Sequence, residues 1–382
     1  MKKIVSIIGA RPQIIKSAAI SRAVRTRFNN ELEEIVVHTG QHYDKNMSEV
    51  FFEELGIPKP LYNLNVGSDT HAKQTAQMLI GIEEVLVKEE PNALVVYGDT
   101  NSTLAGATAA AKLNIPVVHI EAGLRSYNKS MPEEVNRVVC DHLSTLLFSP
   151  TSSGFKNLVK EGFSEESAKP ISADNPKIYH CGDIMYDNSL SFSALANEKN
   201  TVLEEQDLLG KEFYLCTIHR GNNTDSKENL NAIFDALLEI VATNESIEIV
   251  LPLHPRTKNC MHDHLSDEFN AQIEKHERIK IIPPVSFLNI IALEQNCKLV
   301  ITDSGGLQKE AFFFKKPCVI LRPETEWGEI VENGNAIIAN ANKEKIVSAV
   351  NHLSNKTDFI YPDFYGDGKA AEFICSEIID KL

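Results

Sequence analysis

The sequence has no surplus of basic residues and no long apolar run. Its 382 residues include 38 Lys and Arg against 53 Asp and Glu, which gives a net charge of −15. Because nucleic-acid backbones are held by an excess of Lys and Arg, this balance argues against a general nucleic-acid binder. No apolar window reaches the length of a membrane span. We therefore expect neither a nucleic-acid partner nor a membrane partner.

The sequence also lacks a CxxC pair, and its seven cysteines are odd in number and widely spaced. This pattern is typical of thiols in a reducing compartment and argues against a disulfide framework. The opening segment, MKKIVSIIGARP, has an apolar run of only five residues, which is shorter than a signal peptide requires. These features predict a cytoplasmic protein.

The length of the chain and the order of its patterns indicate two domains, since a single core usually stops growing at a smaller size. Short β-branched runs alternate with helical patterns from end to end, as in parallel βαβ units. Residues 161–211 are richer in Ser, Asn, Pro and acidic residues and separate two such halves. We predict an α/β fold with domains at 1–182 and 183–365, and a C-terminal helix within 366–382 that returns to the first domain. The predicted strands are 3–8, 34–38, 93–97, 117–120, 146–148, 213–218, 247–251, 279–282, 299–302 and 318–321.

Ligands of an open parallel sheet bind beyond the carboxyl ends of its strands, so polar residues at those positions are informative. GARPQIIK follows the first strand and contains Gly9, Arg11 and Lys16. It lacks the GxGxxG spacing, which argues against a dinucleotide site. A tight turn with two solvated cations is the structural alternative.

Two acids follow neighbouring strands in the same half. Asp99 stands in YGDTNSTLAG, and Glu121 follows the next strand. An Asp before a helix is often only a cap, although Thr100, Asn101 or Ser102 would serve equally well. If the two strands are neighbours, both acids lie at one sheet edge, where two carboxylates can divide acid and base roles.

The second half repeats this arrangement with different residues. His219 and Arg220 end its first strand, where a histidine is either structural or catalytic. Later, Ser304, Gly305 and Gly306 lie between a strand and a helix. Glycines permit close approach of a ligand, and the N–H groups of a helix start favour phosphate. We predict a phosphate site at this turn.

Two short segments contain residue types that can bind a metal. HIE at 119–121 lacks the downstream PCxxC of zinc deaminases. HDH at 262–264 lies in a polar stretch that is typical of a solvated loop. We expect no metal.

The chain contains, in this order, the motifs GARPQIIK, HTGQHYD, YGDTNSTLAG, HIEAGLRS, MPEEVNR, the HR pair at 219–220, ITDSGGLQKEA and YGDGKA. Together they resemble the motifs of the non-hydrolysing UDP-N-acetylglucosamine 2-epimerases. The resemblance implies two Rossmann-like domains facing a cleft in the glycosyltransferase-B arrangement, with UDP bound mainly by the second. It also implies a homodimer, no cofactor and a role in making surface polysaccharide precursors. The implied reaction inverts C2 of the sugar, through loss of its proton with departure of UDP and then reprotonation and return of UDP.

The resemblance also assigns roles to residues that match the family's motifs. It implies that Arg11 and Lys16 contact the diphosphate. It also implies that the glycine turn binds phosphate and that Glu310 holds the ribose hydroxyls. The implied catalytic residues are Asp99, Glu121, Glu133 and His219. The implied residues for substrate and UDP are Arg11, Lys16, Arg125, Arg220, Ser304, Gly305, Gly306, Glu310 and Arg322.

Departures from the common family pattern favour one branch, which converts UDP-2,3-diacetamido-2,3-dideoxy-glucuronate from its gluco to its manno form. HTGQHYD stands where many members have TAQHRE, and HRGNN where they have HRRE. Trp327 in TEWGE occupies a usual arginine position, and Gln77 replaces an arginine that binds an activating UDP-sugar in some bacterial members. We expect the uronate to be the better substrate.

Three other functions stay open. A hydrolysing epimerase would release free N-acetylmannosamine and UDP, and a regulator would bind the UDP-sugar without turnover. A glycosyltransferase has the same architecture but needs an acceptor, whereas an epimerase changes the sugar alone. Three candidate acids favour the epimerase.

Overall fold

The computed structural model describes residues 1–40, 52, 57–166 and 170–382. The chain divides into unit 1, Met1–Leu190 with Asp363–Leu382, and unit 2, Ser191–Pro362. Each unit contains one parallel sheet with helices between its strands, which confirms the predicted α/β class. Part of the HTGQHYD motif, residues 41–44, lies outside the described residues.

The strands of both sheets pair only in parallel within the described ranges. Unit 1 contains β1 Lys2–Ile8, β2 Leu32–His38, β3 Tyr62–Asn63, β4 Ala93–Tyr97, β5 Val117–Ile120, β6 Leu146–Ser149 and β7 Lys177–His180. Unit 2 contains β8 Phe213–Thr217, β9 Glu248–Pro252, β10 Ile279–Ile282, β11 Leu299–Thr302, β12 Cys318–Ile320 and β13 Ala336–Ile338. The sheet orders are β3-β2-β1-β4-β5-β6-β7 and β10-β9-β8-β11-β12-β13.

Helices connect these strands, and none within the described ranges is long and apolar enough to cross a membrane. Helix α6 spans the division between the two units. The helices are α1 Arg11–Arg27, α2 His71–Glu89, α3 Asn101–Lys112, α4 Pro132–Leu143, α5 Ser152–Lys160, α6 Ile184–Lys199, α7 Val202–Glu205, α8 Gly221–Thr224, α9 Lys227–Thr243, α10 Pro255–His264, α11 Asp267–Glu274, α12 Phe287–Asn296, α13 Gly305–Phe313, α14 Gly328–Glu332, α15 Lys343–Asn355 and α16 Ala370–Lys381.

The ten predicted strands are all present with small shifts at their ends, whereas β3, β7 and β13 were not predicted. All three are edge strands. Central strands of a parallel sheet are covered on both faces and therefore have continuous apolar runs, which are easy to recognise. The edge strands YN and KIYH are short and partly polar, so they carry a weak signal.

In each sheet the strand order reverses at one point, between β1 and β4 in unit 1 and between β8 and β11 in unit 2. Ligands of open α/β sheets bind outside the carboxyl ends of the strands at such a switch point. Asp99 follows β4, and His219 and Asp303 follow β8 and β11. The topology therefore places predicted site residues at both switch points.

Close packing against the sheet also positions α3, the helix that begins after Asp99. A Cβ atom at Gly106 would lie 3.1 Å from Val96 and 3.2 Å from Ile7, so any other residue would require these side chains to move by a few tenths of an ångström. The side chain of Thr100 caps the helix by accepting a hydrogen bond from the backbone N–H of Thr103 at 3.4 Å. Thr100 is therefore the cap, and Asp99 is available for another role.

Candidate active site

Asp99 and Glu121 lie at the ends of adjacent strands in unit 1. Strands β4 and β5 pair in parallel with Tyr97 opposite Ile120, which confirms the expected common sheet edge. The backbone of Glu121 has a φ of 77°, in the left-handed region that L-residues rarely adopt. Such strain persists only where the surrounding structure enforces it, and it clusters at functional sites.

Lys16, on α1, forms an ion pair with the carboxylate of Glu121. Both side chains are 14% exposed. Burial alone would lower the pKa of Lys16, but the charge and hydrogen bond of Glu121, with smaller contributions from Asp99 and Asp183, raise it above its ordinary value. Lys16 is therefore a cation at neutral pH. Arg11 is the first residue of α1 and is exposed.

Arg137, on α4, was not recognised as a site residue from the sequence. Its guanidinium contacts the carboxylate of Asp99 and donates a hydrogen bond to Glu134 at 2.8 Å. Asn136 donates to the backbone carbonyl of Asp99 at 2.9 Å. The MPEEVNR motif was the available signal, because Asn136 and Arg137 are its last two residues.

The adjacent acids Glu133 and Glu134 have opposite environments on the first turn of α4. Glu133 is exposed and makes no hydrogen bond or ion pair with the described residues. The Glu134 carboxylate is buried and accepts hydrogen bonds from the backbone N–H groups of Ser126 and Tyr127, each at 2.9 Å. Glu134 thus orders the preceding loop, whereas the side chain of Glu133 is open to a ligand.

A buried network of charges in unit 1 links His119, Asp141 and Arg125. His119 Nδ1 contacts Asp141 at 2.7 Å, and Asp141 contacts Arg125 at 2.7 Å. Arg125, implied above as a substrate-binding residue, has a side chain that is only 1% exposed and also pairs with Glu161 at 2.7 Å. The structure places its guanidinium inside unit 1, fully engaged by two carboxylates.

In unit 2, Asp303 organises the turn that carries His219. Its carboxylate is fully buried and accepts hydrogen bonds from the backbone N–H of His219 at 3.1 Å and of Arg220 at 3.0 Å. It also contacts Nδ1 of His219 at 3.1 Å, while the imidazole remains 48% exposed. Asp303 therefore fixes both the backbone and the ring of the candidate histidine.

The predicted phosphate turn follows β11 at the start of α13. Ser304 is the N-cap, and its hydroxyl accepts a hydrogen bond from the backbone N–H of Leu307 at 3.5 Å. A Cβ atom added at Gly306 would meet nothing closer than the Ser304 hydroxyl, at 3.8 Å. The described part of the chain therefore leaves open space at Gly306, next to N–H groups that favour an anion.

Aromatic and charged side chains surround this turn. The indole N–H of Trp327 donates to the carbonyl of Gly305 at 2.8 Å, and the ammonium of Lys309 lies 4.3 Å from the centre of the Trp327 ring. Arg322 donates two hydrogen bonds to Glu326, at 2.9 and 2.8 Å. Trp327 is buried, so it acts on the turn itself.

Glu310, on α13, has a second carboxyl group beside it. Glu294, on α12, is fully buried, and neither of its carboxyl oxygens has a hydrogen-bond donor among the described residues. Burial and then the negative charge of Glu310 raise the pKa of Glu294 well above its ordinary value. Glu294 therefore keeps its proton to a higher pH than an ordinary glutamate does.

A pair of parallel α/β domains with polar groups at both switch points defines a two-domain enzyme of the glycosyltransferase-B-like class. Residues 25–379 match the family profile of UDP-N-acetylglucosamine 2-epimerase. The chain belongs to this family and is an isomerase.

Similar proteins span its whole length. A UDP-2,3-diacetamido-2,3-dideoxy-D-glucuronate 2-epimerase from Pseudomonas aeruginosa is 46% identical over 380 residues, 100% of each chain. A UDP-N-acetylglucosamine 2-epimerase homolog from Methanococcus maripaludis is 46% identical over 370 residues, 97% of each chain. The crystal structure of Methanocaldococcus jannaschii UDP-GlcNAc 2-epimerase in complex with UDP-GlcNAc and UDP has a TM-score of 0.81 at 42% identity, covering 98% of each chain.

Proposed function

We propose that this enzyme inverts C2 of a UDP-2-acetamido sugar by eliminating UDP and adding it back. The observation that carries the proposal is the placement of Asp99 and Glu121 on the tips of two adjacent parallel strands, each contacted by its own cation. C2 of an acetamido sugar is weakly acidic, so its proton leaves only when a positioned base acts together with cleavage at C1.

In the proposed reaction, one of the acids Asp99, Glu121 and Glu133 removes the C2 proton. The C–H electron pair forms the C1–C2 double bond, and the electron pair of the C1–O bond leaves with UDP. The resulting 2-acetamidoglucal takes a proton at C2 on its opposite face, and an oxygen of UDP adds again to C1. No atom is gained or lost overall, and the reaction needs no oxidant or reductant.

For unit 2 we propose that UDP binds at the carboxyl ends of β8 and β11. The open space at Gly306 and the N–H groups of Gly305 and Gly306 support phosphate binding there. Glu310, which a protonated Glu294 would leave charged, suits the ribose hydroxyls. His219, Arg220 and Arg322 complete the proposed set on unit 2. Lys16 pairs with the candidate acid Glu121, and the side chain of Arg125 is buried inside unit 1, so we assign them to the acids and to the buried network.

We propose UDP-2,3-diacetamido-2,3-dideoxy-glucuronate as the preferred substrate. The Pseudomonas aeruginosa relative that is named for this sugar aligns with the whole chain. The departures in HRGNN and TEWGE support the same branch. Trp327 would act through the phosphate turn, since its indole holds the carbonyl of Gly305.

We further propose a homodimer that acts in the cytoplasm. Helices α2 and α4 expose large apolar side chains, Ile80 and Val87 on the first and Val135 and Val139 on the second, and exposed apolar patches mark sites of protein–protein contact. All seven cysteines fall within the described residues and are free thiols, which suits a reducing compartment.

The test is an incubation with each UDP-sugar, followed by proton NMR without any acceptor. The expected product is the C2 epimer still attached to UDP. Free N-acetylmannosamine with stoichiometric UDP would indicate a hydrolysing epimerase. An unchanged sugar that nevertheless binds would indicate a transferase or a regulator, and either result would reject the proposal.

A further inference from the structure

His119 and Asp141 form an ion pair in the interior of unit 1. His119 lies on β5, two residues before Glu121, and Asp141 lies on α4. Both residues are 0% exposed. The imidazole Nδ1 is 2.7 Å from one carboxylate oxygen of Asp141, and Nε2 is 2.8 Å from the backbone carbonyl oxygen of Gly98.

Both ring nitrogens of His119 face oxygen atoms that accept hydrogen bonds. A neutral imidazole has only one N–H, so it would leave one nitrogen against an acceptor without a proton. Burial alone would lower the pKa of His119, but Cys140 and Asp141 raise it well above its ordinary value. The ring is therefore a buried imidazolium that donates from both nitrogens.

The hydrogen bonds of the His119–Asp141 pair reach the two turns that carry Asp99 and Glu121. The Gly98 carbonyl belongs to the peptide bond that leads directly into Asp99, and Gly98 has a φ of 61°. The second oxygen of Asp141 accepts from the backbone N–H of Gly123 at 3.1 Å, two residues after Glu121. Gly123 has a φ of 81°, which glycine adopts readily, whereas Glu121 beside it has a φ of 77°, which an L-residue keeps only with support from its surroundings.

We propose that the His119–Asp141 ion pair is a positioning element for the reaction, which holds the turns of Asp99 and Glu121 in one fixed relation. This inference rests on the proposed function of those two acids. Small displacements of a catalytic group are costly in rate because the reacting atoms must be aligned.

The charges around the His119–Asp141 pair support a positioning role. Arg125 pairs with the same Asp141 oxygen that accepts from Gly123, at 2.7 Å, and Glu161 pairs with Arg125. The two cations and two anions balance. Because well-packed apolar side chains often stabilise a core as well as a buried ion pair does, the pair has little value for stability alone. Its contribution is to fix the backbone of the two turns that it contacts, at Gly98 and Gly123.

The kinetic test uses His119→Gln and Asp141→Asn in the full-length enzyme. The Gln side chain cannot reach both Gly98 and Asp141, and the amide introduced by Asp141→Asn carries no charge. We expect kcat to fall by about tenfold to a hundredfold. KM and the affinity for UDP, which we place on unit 2, should change less than about threefold. Val85→Ala removes buried volume from another part of unit 1 and serves as the control for lost stability, with kcat unchanged.

A spectroscopic measurement tests the protonation of the pair directly in the wild-type enzyme. Wild-type enzyme with ¹⁵N-labelled histidine should show a ring with both nitrogens protonated near neutral pH, and His119→Gln or His119→Phe assigns that signal by its loss. A neutral ring at His119 would overturn the inference, as would a folded Gln variant with wild-type kcat. If the wild-type enzyme leaves the UDP-sugars unchanged, the proposed function fails instead, which is a separate result.

Discussion

The ammonium group of Lys16 is bonded to the carboxylate of Glu121, although the two residues are 105 positions apart in the sequence. The family resemblance implies that Lys16 contacts the diphosphate. In the structure this cation lies on a candidate catalytic acid, where it stabilises the charged form of the carboxylate. This contact leads to a prediction that separates the two roles.

Replacing Lys16 with Met should reduce kcat by about 10²-fold, the usual scale for disturbing a general acid or base, while UDP affinity stays near the wild-type value. Steady-state kinetics and calorimetry with UDP measure the two quantities. Lys73→Met is the matched control, because Lys73 is an exposed lysine on α2. A loss of UDP affinity as large as the loss of kcat would restore the diphosphate role.

The wild-type enzyme should exchange the C2 proton of the sugar with solvent, and each of the three candidate acids should be needed for turnover. Active enzyme in D2O should place deuterium at C2 of the product, because the proton removed is not the one returned. Asp99→Asn, Glu121→Gln and Glu133→Gln should each lose about 10²-fold or more in kcat and still bind UDP. Proton NMR reads both effects. Retention of the C2 proton together with near-normal rates in all three variants would contradict elimination and addition.

The open space at Gly306 predicts a defect in binding without a defect in folding. Gly306→Val should weaken UDP binding by about a hundredfold or more, equivalent to about 2.7 kcal/mol, because the new side chain obstructs the phosphate. Ser304→Ala should weaken it only modestly. Gly67→Val is the matched control, since a Cβ atom there meets nothing within 4 Å. Unchanged UDP affinity of the Gly306 variant in calorimetry would move the phosphate elsewhere.

Glu294 predicts an unusual pH dependence of stability. Its pKa in the folded enzyme lies well above the ordinary 4.5, so its contribution is complete below that pH. As the pH rises further, the unfolded chain loses this proton before the folded chain does, and stability declines by at most ~1.4 kcal/mol per pH unit. Glu294→Gln has no such proton. It should therefore gain stability relative to wild type between about pH 5 and about pH 8.

Urea unfolding of the full-length wild type and of Glu294→Gln, at about pH 5 and about pH 8, measures this difference in the free energy of unfolding. Glu228→Gln, on the exposed face of α9, provides the control and should show no gain. An equal difference between Glu294→Gln and wild type at both pH values would mean that Glu294 is ionised in the folded enzyme.

The substrate preference gives a direct comparison of rates. We expect kcat/KM for UDP-2,3-diacetamido-2,3-dideoxy-glucuronate to exceed that for UDP-GlcNAc by about 10²-fold or more, because a site built for extra polar groups is left with unpaired contacts when they are missing. Both sugars are assayed at equal enzyme concentration. A comparable or higher value for UDP-GlcNAc would reject the branch and leave the reaction class intact.

The sequence by itself determined the class of fold and the position of both acids along it. Central strands such as β4 and β5 have continuous apolar runs, which a local pattern reveals. Because parallel strands present their carboxyl ends at one edge, the prediction that Asp99 and Glu121 share that edge followed from the order of the elements, and the strand pairing confirms it.

Only the tertiary structure decided which partners these side chains have. Adjacent residues on a helix point about 100° apart, so Glu133 and Glu134 face different sides, but periodicity on a first turn does not show which of them is buried. Arg125 matches a family motif, yet its burial depends on Asp141 and Glu161, which lie on other elements. A contact between residues far apart in sequence depends on packing and rotamer, and neither is written in a local pattern.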